Sequence, residues 1–260
     1  MSSTPNYRYR LLSKFTVLML LSVFLWSFSH GEAPAPSGQA QVIEVIARQL
    51  PEREGLIPVE LRCGYATLSA PNILENFTCK LRNNSSRSLT AASVVYTIQY
   101  EEKGVSKASS YDSTIDTRLN PDFANTTKMI GPGEESSSVG PPGPVSSGSA
   151  TIIKGIEIAI DFVEFEDSSV LGPDREGSNI INGMRLGAKK YRTWLRSEYE
   201  RNRRSVDAIV PLLDGENISS DVQTANSYEE LGAQQYRSRL RKMHRTKGKA
   251  EVEKILSSGV

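Results

Sequence analysis

Histidine is nearly absent from this chain of 260 residues, and its scarcity removes most common hydrolytic mechanisms. The chain has two histidines, and neither His30 nor His244 stands beside a Ser, Cys or Asp framework. Ser-His-Asp catalysis, zinc hydrolysis and acid–base catalysis by histidine therefore lack their central residue. Nucleophile-elbow, zincin, P-loop and dinucleotide-binding motifs are also missing. We predict that the protein is not an enzyme and that it has no catalytic residue, cofactor or metal.

Carboxylates cluster in one stretch of the chain. This cluster allows two weaker interpretations, a calcium site and a carboxylate-dependent hydrolase. Calcium binds carboxylates at this density, but no EF-hand-type loop is present, and outward-facing charges on an edge strand explain the pattern as well. A carboxylate-dependent hydrolase is the distant alternative to a non-enzymatic protein. The cluster consists of Glu157, Asp161, Glu164, Glu166, Asp167 and Asp174.

Cysteine is equally scarce, with two residues and no C-x-x-C motif. Cys63 and Cys79 lie on two predicted strands, residues 57–68 and 74–82, and they stand opposite each other if the strands form an antiparallel hairpin centred on Pro71. Directly opposed Cβ atoms can be bridged without moving the backbone. We predict a structural disulfide between Cys63 and Cys79, with two buried free thiols as the alternative in a reducing compartment.

The N-terminus carries the one long apolar run of the sequence. Basic residues precede residues 15–28, whose 14 predominantly apolar residues match a signal-peptide core and fall short of the roughly 20 needed to span a bilayer. We predict that residues 1–31 are a signal peptide and that the protein is exported to the periplasm, the cell envelope or the medium. An uncleaved transmembrane anchor is the alternative, because no ideal cleavage site follows.

Residues 32–55 read as a linker, within which residues 41–50 fit either a strand or a short helix. From residue 56 to 176 the apolar period is two, and turn residues separate several short strands. The longest strand pattern, residues 151–166, changes its apolar face after Phe162, which indicates a β-bulge or a strand covered on both faces. The spacing of these strands favours a sandwich over a parallel sheet.

Residues 79–100 (CKLRNNSSRSLTAASVVYTIQY) and the later IEIAIDFVEFEDSSVLGPD resemble strands of uncharacterised exported bacterial proteins with an immunoglobulin-like or fibronectin-like β-sandwich. The resemblance covers about 110 residues and rests on alternation and turn residues. It implies a fold and no function. The expected fold is therefore a mainly β, immunoglobulin-like sandwich over 56–176 with a C-terminal α-helical extension over 177–260.

The helical extension is strongly basic. Residues 32–176 carry a net charge of −8, whereas residues 177–260 carry +6. From Ser178 the apolar period becomes 3.6, and Ser227 begins a capping-box pattern for a second helix. The basic side chains either bind a polyanion or form a solvated face that docks on the acidic part. The candidate polyanion-binding residues are Arg185, Lys189, Lys190, Arg192, Arg196, Arg237, Arg239, Arg241, Lys242 and Arg245.

Together these patterns predict an exported, non-enzymatic binding or accessory module of the cell envelope. Its partner is expected to be an envelope component, a protein or an anionic membrane surface. Nucleic acid is not expected as a partner, because export separates the chain from it. The alternative function is a membrane-anchored structural protein whose basic helices lie on anionic lipid.

Overall fold

The computed structural model describes residues 41–75, 77–126, 128–140, 145–146, 151–215 and 218–258. The predicted signal segment and residues 32–40 lie outside the described residues. The described part contains eleven strands: β1 (Gln41–Ile43), β2 (Val45–Arg48), β3 (Val59–Cys63), β4 (Ala66–Ala70), β5 (Ile73–Glu75), β6 (Cys79–Asn83), β7 (Leu89–Glu102), β8 (Val105–Asp116), β9 (Val145–Ser146), β10 (Thr151–Phe165) and β11 (Val170–Leu171). It also contains a 3-10 helix, Pro121–Thr126, and the helices α1 (Gly177–Arg201), α2 (Val206–Asp214), α3 (Ser227–Lys247) and α4 (Lys249–Ser257).

The predicted hairpin centred on Pro71 is confirmed. β3 pairs with β6, so that Cys63 stands opposite Cys79. β4 pairs with β5 in the same register at Thr67 and Leu68, and the register shifts by one residue at Ala70. The predicted disulfide joins Cys63 to Cys79. Leu61 and Cys79 are buried, whereas Tyr65, which lies between β3 and β4, is 68% exposed.

A large five-stranded sheet forms the centre of the fold. Its order is β11-β10-β7-β8, and β2 joins the outer edge of β10 in parallel. β7 and β8 form a hairpin whose two turn residues, Lys103 and Gly104, both have positive φ, as a type I′ turn requires. Residues 41–50, for which the sequence allows either a strand or a short helix, contain the strands β1 and β2.

A β-bulge changes the face of β10, as the sequence pattern predicts. The register with β7 shifts between Ile160 and Phe162. Ile160 and Val163 therefore lie in the same core, while Phe162 packs on the opposite face against Ile181 of α1. The bulge lets one strand supply apolar side chains to both faces of the sheet.

The two small sheets share an apolar core with one face of the large sheet. The small sheets are β1-β4-β5-β9 and the pair β3-β6. Val59 and Leu81 of the pair β3-β6 contribute to this core, together with Ile98 and Ile158 of the large sheet. Strands β7 and β10 supply half of the buried residues of this core, largely at alternating positions, which agrees with the period-two pattern of the sequence.

The expected fold class, a mainly β immunoglobulin-like sandwich with a helical extension, is wrong. The described chain is 33% helical and 36% strand, and it contains four helices. Its strands belong to three sheets, of which the large one includes the parallel pair β2-β10. The physical reason lies in the second face of the large sheet. That face presents Ala91 and Phe162, and α1 buries them with Ile181. α1 is therefore a layer of the fold that covers a sheet.

The helices form a second core of their own. Ile180, Met184 and Tyr191 lie on the apolar face of α1 that the 3.6 period predicts, and they pack with α2, α3 and α4. α1 and α3 cross so closely that a Cβ on Gly187 would lie 1.7 Å from the carbonyl oxygen of Glu229. Glycine at the crossing permits this contact between backbones.

Both helices begin slightly earlier than the sequence pattern predicts. Asn226, not Ser227, caps α3, because its side chain accepts hydrogen bonds from the backbone N–H groups of residues 228 and 229. α1 begins at Gly177, one residue before Ser178. The carboxylate of Asp161 accepts the N–H groups of residues 175, 176 and 177 at 3.0, 3.1 and 2.7 Å.

Candidate functional site: a basic pocket

The ten predicted polyanion-binding residues do not form one uniform basic surface. Half of them make ion pairs with carboxylates of the fold: Arg185, Lys190, Arg192, Arg196 and Arg245. Arg237 is buried and Arg239 half-buried, and both make further interactions. Arg241 is half-buried, whereas Lys189 and Lys242 are exposed.

Three of the ten nevertheless converge on one pocket, where the end of the large sheet meets α1 and α3. The pocket has a volume of about 170 Å³. We call it the basic pocket, and its lining consists of Arg118, Leu119, Pro121, Arg185, Ala188, Lys189, Arg192 and Tyr236. Three arginines and one lysine thus surround a small concave site.

The sheet side of the basic pocket is an arginine–carboxylate network. Arg185 donates to both oxygens of Asp116 at 2.8 and 2.9 Å and to Glu164 at 2.7 Å. Arg118 donates to the other oxygen of Glu164 at 2.6 Å. Burial disfavours the charged form of Arg185, but the hydrogen bonds to Asp116 and Glu164 outweigh it and raise the pKa above its ordinary value. The guanidinium is held rigidly at the rim.

The helix side is organised around one buried carboxylate. The side chain of Asp122, on the 3-10 helix, is only 3% exposed. It contacts Arg192 at 3.5 Å and Arg196 at 3.4 Å, and it accepts a 2.5 Å hydrogen bond from the hydroxyl of Tyr236. Burial, together with this hydrogen bond to Asp122, raises the pKa of Tyr236 above its ordinary value. The phenol therefore stays protonated and acts as a donor.

Positive charge exceeds negative charge around the basic pocket. Five cations and three carboxylates surround the pocket. The cations are Arg118, Arg185, Lys189, Arg192 and Arg196, and the carboxylates are those of Asp116, Asp122 and Glu164. The surplus is two positive charges. Lys189 has no ion pair with any described residue, and the contact of Arg192 with Asp122 is at the limit of a hydrogen bond.

This arrangement can bind an anionic group. Arginines present several N–H donors in a fixed geometry that matches carboxylate and phosphate oxygens, and lysine adds a mobile positive charge. A volume of about 170 Å³ is below the 300–1,000 Å³ of typical small-molecule sites. The basic pocket therefore suits a phosphate, sulfate or carboxylate group of a larger ligand.

The predicted acidic cluster is divided among separate structural roles. Asp161 caps α1 and Glu164 binds the two arginines. Asp167 accepts hydrogen bonds from Ser169 and pairs with Arg87, and the bonds from Ser169 are the main reason that its pKa falls to about 2. No group of three or more metal-ligating side chains is found within the described ranges.

Sequence reasoning found three lining residues and missed the carboxylates that position them. Arg185, Lys189 and Arg192 belong to the predicted basic helix. Asp122 is separated from Arg192 by 70 residues and from Tyr236 by 114, and no local pattern connects them. The spacing of Arg185, Lys189 and Arg192 on one helical face was the available signal, since residues three and four apart are neighbours on a helix.

Comparison with known proteins assigns no relative. The chain matches no protein-family model, and no curated protein or solved structure shows significant similarity to it. These comparisons do not bear on the resemblance to exported bacterial sandwich proteins. No helix within the described ranges is both long and apolar enough to cross a bilayer.

Proposed function

We propose that the protein is an exported, non-enzymatic binding protein of the cell envelope, which captures a phosphate or carboxylate group of an envelope component in the basic pocket. The surplus of two positive charges around a small concave site carries this proposal. In a partly buried site of lower effective dielectric, such a surplus attracts an anion more strongly than the same charges do in water.

The disulfide supports the extracytoplasmic part of the proposal. Disulfides persist in oxidising compartments and are rare in the cytoplasm. Cys63 and Cys79 are bonded in adjacent strands, and the described chain has no free cysteine. Such a pair belongs to a protein that folds where thiols are oxidised, which agrees with the export signal predicted for residues 1–31.

The pairing pattern favours a pocket over a lipid-covered helix surface. Binding to anionic lipid uses many unpaired cations on one helical face. Here the described carboxylates neutralise Arg185, Lys190, Arg192, Arg196 and Arg245. Lys189, the pocket cation without an ion pair to a described residue, lies among residues that the fold holds in place. This arrangement favours binding of a single anionic group over binding of a membrane surface.

The proposal is tested by titrating the purified exported protein with inorganic phosphate and with acetate at constant ionic strength. A ligand at ten times its Kd stabilises the folded protein by about 1.4 kcal/mol, which raises Tm by roughly 3–6 °C for a chain of this size. Lys189→Gln should reduce the rise by at least half. Lys242→Gln is the matched control, because Lys242 is an exposed, unpaired lysine among the described residues and does not line the pocket.

Two results would contradict the proposal. A rise in Tm that an equal ionic strength of sodium chloride reproduces would show screening without a site. Equal losses in Lys189→Gln and Lys242→Gln would show that overall positive charge, not the basic pocket, attracts the anion. Point variants are used because deletion of residues 178–260 would expose the sheet face that α1 covers.

A further inference from the structure

The large sheet has a second concavity on the face that carries α1. α1 covers this face around Ser93 and Phe162, whereas Val95 and Ala159, which stand opposite each other further along β7 and β10, are only half-buried. A cleft of about 780 Å³ lies over them. That volume falls within the range of small-molecule sites, unlike the volume of the basic pocket. We call it the sheet-edge cleft.

The topology of β10 creates the cleft. β2 pairs with residues 156–159 of the outer edge of β10, and β11 pairs with residues 163–164 of the same edge. Asp161 lies between the two partners, beside the bulge. The segments that follow β2 and β11 rise on either side of this interval and form the two walls.

The wall after β2 is fixed by hydrogen bonds to backbone groups. The side-chain amide of Gln49 both donates to and accepts from the backbone of Leu61, at 2.8 Å each, as a paired strand would. Arg53 and Leu56 exchange two backbone hydrogen bonds of 2.8 and 3.0 Å across a tight turn. Leu50, between these anchors, is 6% exposed and lines the cleft.

The wall after β11 is fixed in a similar way. Gly172 has φ +117°, and a Cβ there would lie 2.3 Å from the carbonyl oxygen of Asp161, so that only glycine allows this close approach. The N–H of Asp174 donates to the same carbonyl at 2.8 Å, and the N–H of Arg175 donates to the carboxylate at 3.0 Å. Both walls are therefore formed before a ligand arrives.

The cleft combines an apolar floor with unpaired positive charge. Leu50, Val95, Ala159 and Leu171 supply apolar surface. Arg48 is neutralised by Glu157 at 3.1 Å, and Asp161 is occupied by three backbone N–H groups. The remaining charged side chains of the lining, listed with their charges, are Arg53 (+1), Arg175 (+1) and Glu52 (−1), all exposed and without an ion pair to another described residue.

We propose that the sheet-edge cleft binds a small amphipathic monoanion, with an apolar body on Val95 and Ala159 and a carboxylate or sulfonate held by Arg53 and Arg175. Arg53 and Arg175 are the cations of the lining that make no ion pair with a described residue, and their guanidinium groups can donate to one negative group. The volume admits a body of two fused rings or a medium-length alkyl chain. This site is separate from the basic pocket, with which it shares no lining residue.

The test uses two fluorescent probes that differ by one charged group. 8-Anilinonaphthalene-1-sulfonate carries a sulfonate, and N-phenyl-1-naphthylamine has the same rings without it. The purified exported protein should bind the sulfonate one-to-one and at least about tenfold more tightly than the neutral probe, the factor that hydrogen bonds to charged groups typically supply. Octanoate should displace the sulfonate, and inorganic phosphate should not.

Variants locate the binding. Arg53→Gln and Arg175→Gln should each weaken sulfonate binding about tenfold and leave the neutral probe unchanged, because each removes one charged donor. Ala159→Trp should prevent binding of both probes by filling the floor. Arg201→Gln is the matched control, since Arg201 is 70% exposed on α1 and its one ion pair with a described residue is the local pair with Glu198.

Three outcomes would overturn the inference. Equal affinity for the two probes would show that the arginines do not take part. Full binding to a folded Ala159→Trp protein would place the probe elsewhere. Loss of sulfonate binding in Lys189→Gln would move the site to the basic pocket. If Ala159→Trp fails to fold by circular dichroism, the two arginine variants decide by the difference between the probes.

Discussion

Replacement of Asp122 by asparagine would test whether the basic pocket is an anion site with one carboxylate already built in. The substitution keeps the size of the side chain and an acceptor for the hydroxyl of Tyr236, which now contacts Asp122 at 2.5 Å. It removes the charge shared by Arg192 and Arg196. The surplus around the pocket rises from two positive charges to three.

The expected loss of stability follows from burial and distance. Removal of one partner of a buried ion pair costs about 3–5 kcal/mol. The side chains of Arg192 and Arg196 are 16% and 20% exposed, and their contacts with Asp122 are 3.5 and 3.4 Å long, so water screens part of the interaction. We therefore expect Asp122→Asn to cost about 2–4 kcal/mol, which corresponds to a Tm lower by roughly 4–16 °C.

A bound anion should restore part of this stability, because from the pocket it can offset the positive charge of Arg192 that the carboxylate no longer balances. Thermal unfolding followed by circular dichroism, with and without inorganic phosphate at constant ionic strength, measures both effects. Phosphate should raise the Tm of Asp122→Asn more than that of the wild-type protein. Asp214→Asn is the control, because Asp214 makes an exposed pair with Arg245 at 3.2 Å, and exposed pairs contribute about 0–1 kcal/mol.

The reasoning fails if Asp122→Asn loses no more stability than Asp214→Asn, since Asp122 would then not hold the arginines. It also fails if phosphate stabilises the wild type and Asp122→Asn equally, since the added positive charge would then not face the anion.

Three further substitutions test the packing and the electrostatics of the fold. Gly187→Ala should lower the free energy of unfolding by about 1–3 kcal/mol in urea denaturation, because its Cβ would lie 1.7 Å from the carbonyl oxygen of Glu229; wild-type stability would refute the close crossing. Hydrogen bonds from Lys190 and from a backbone N–H lower the pKa of Glu229 below its ordinary value of 4.5, so its stabilisation is complete well above pH 4.5 and is lost as the pH falls below it. Glu229→Gln should therefore reduce the dependence of Tm on pH in that acidic range, and an unchanged dependence would contradict the assignment. Asp161→Asn should cost about 1–2 kcal/mol through loss of the cap of α1, whereas Asp174→Asn, which affects one exposed contact with Ser178, should cost less than half of that.

The sequence allows correct prediction where pairing is local. Cys63 and Cys79 are 16 residues apart and symmetric about Pro71, so the period of two and the turn together determine which residues face each other. The bulge near Phe162 was predictable for the same reason, since a change of apolar face along one strand requires an extra residue. The helical face of Ile180 and Met184 follows from the period of 3.6 alone.

The fold class and the carboxylates of the pocket depend on contacts between distant segments. The alternation in β7 predicts that one face of the strand is buried, but it does not reveal what covers the other face. Ala91 and Ser93 are small residues on that second face, and their size allows α1 to approach the sheet. Small residues give a weak hydrophobic signal, and for this reason the sequence predicts α1 as an extension of the fold and not as one of its layers.

The sequence analysis offers two roles for the basic helices, docking on the acidic half of the chain and binding of a polyanion. The structure favours a combination of the two. The basic helix α1 docks on the acidic half of the chain, since Arg185 pairs with Asp116 and Glu164, and Arg192 pairs with Asp122. Neutralisation is incomplete, however, and part of the excess lies at one concave site. The carboxylates that neutralise Arg185 and Arg192 also hold these arginines in place, so the docking orders the donors that line the pocket. Internal pairing and anion binding are therefore parts of one arrangement, in which Lys189 supplies the unpaired charge.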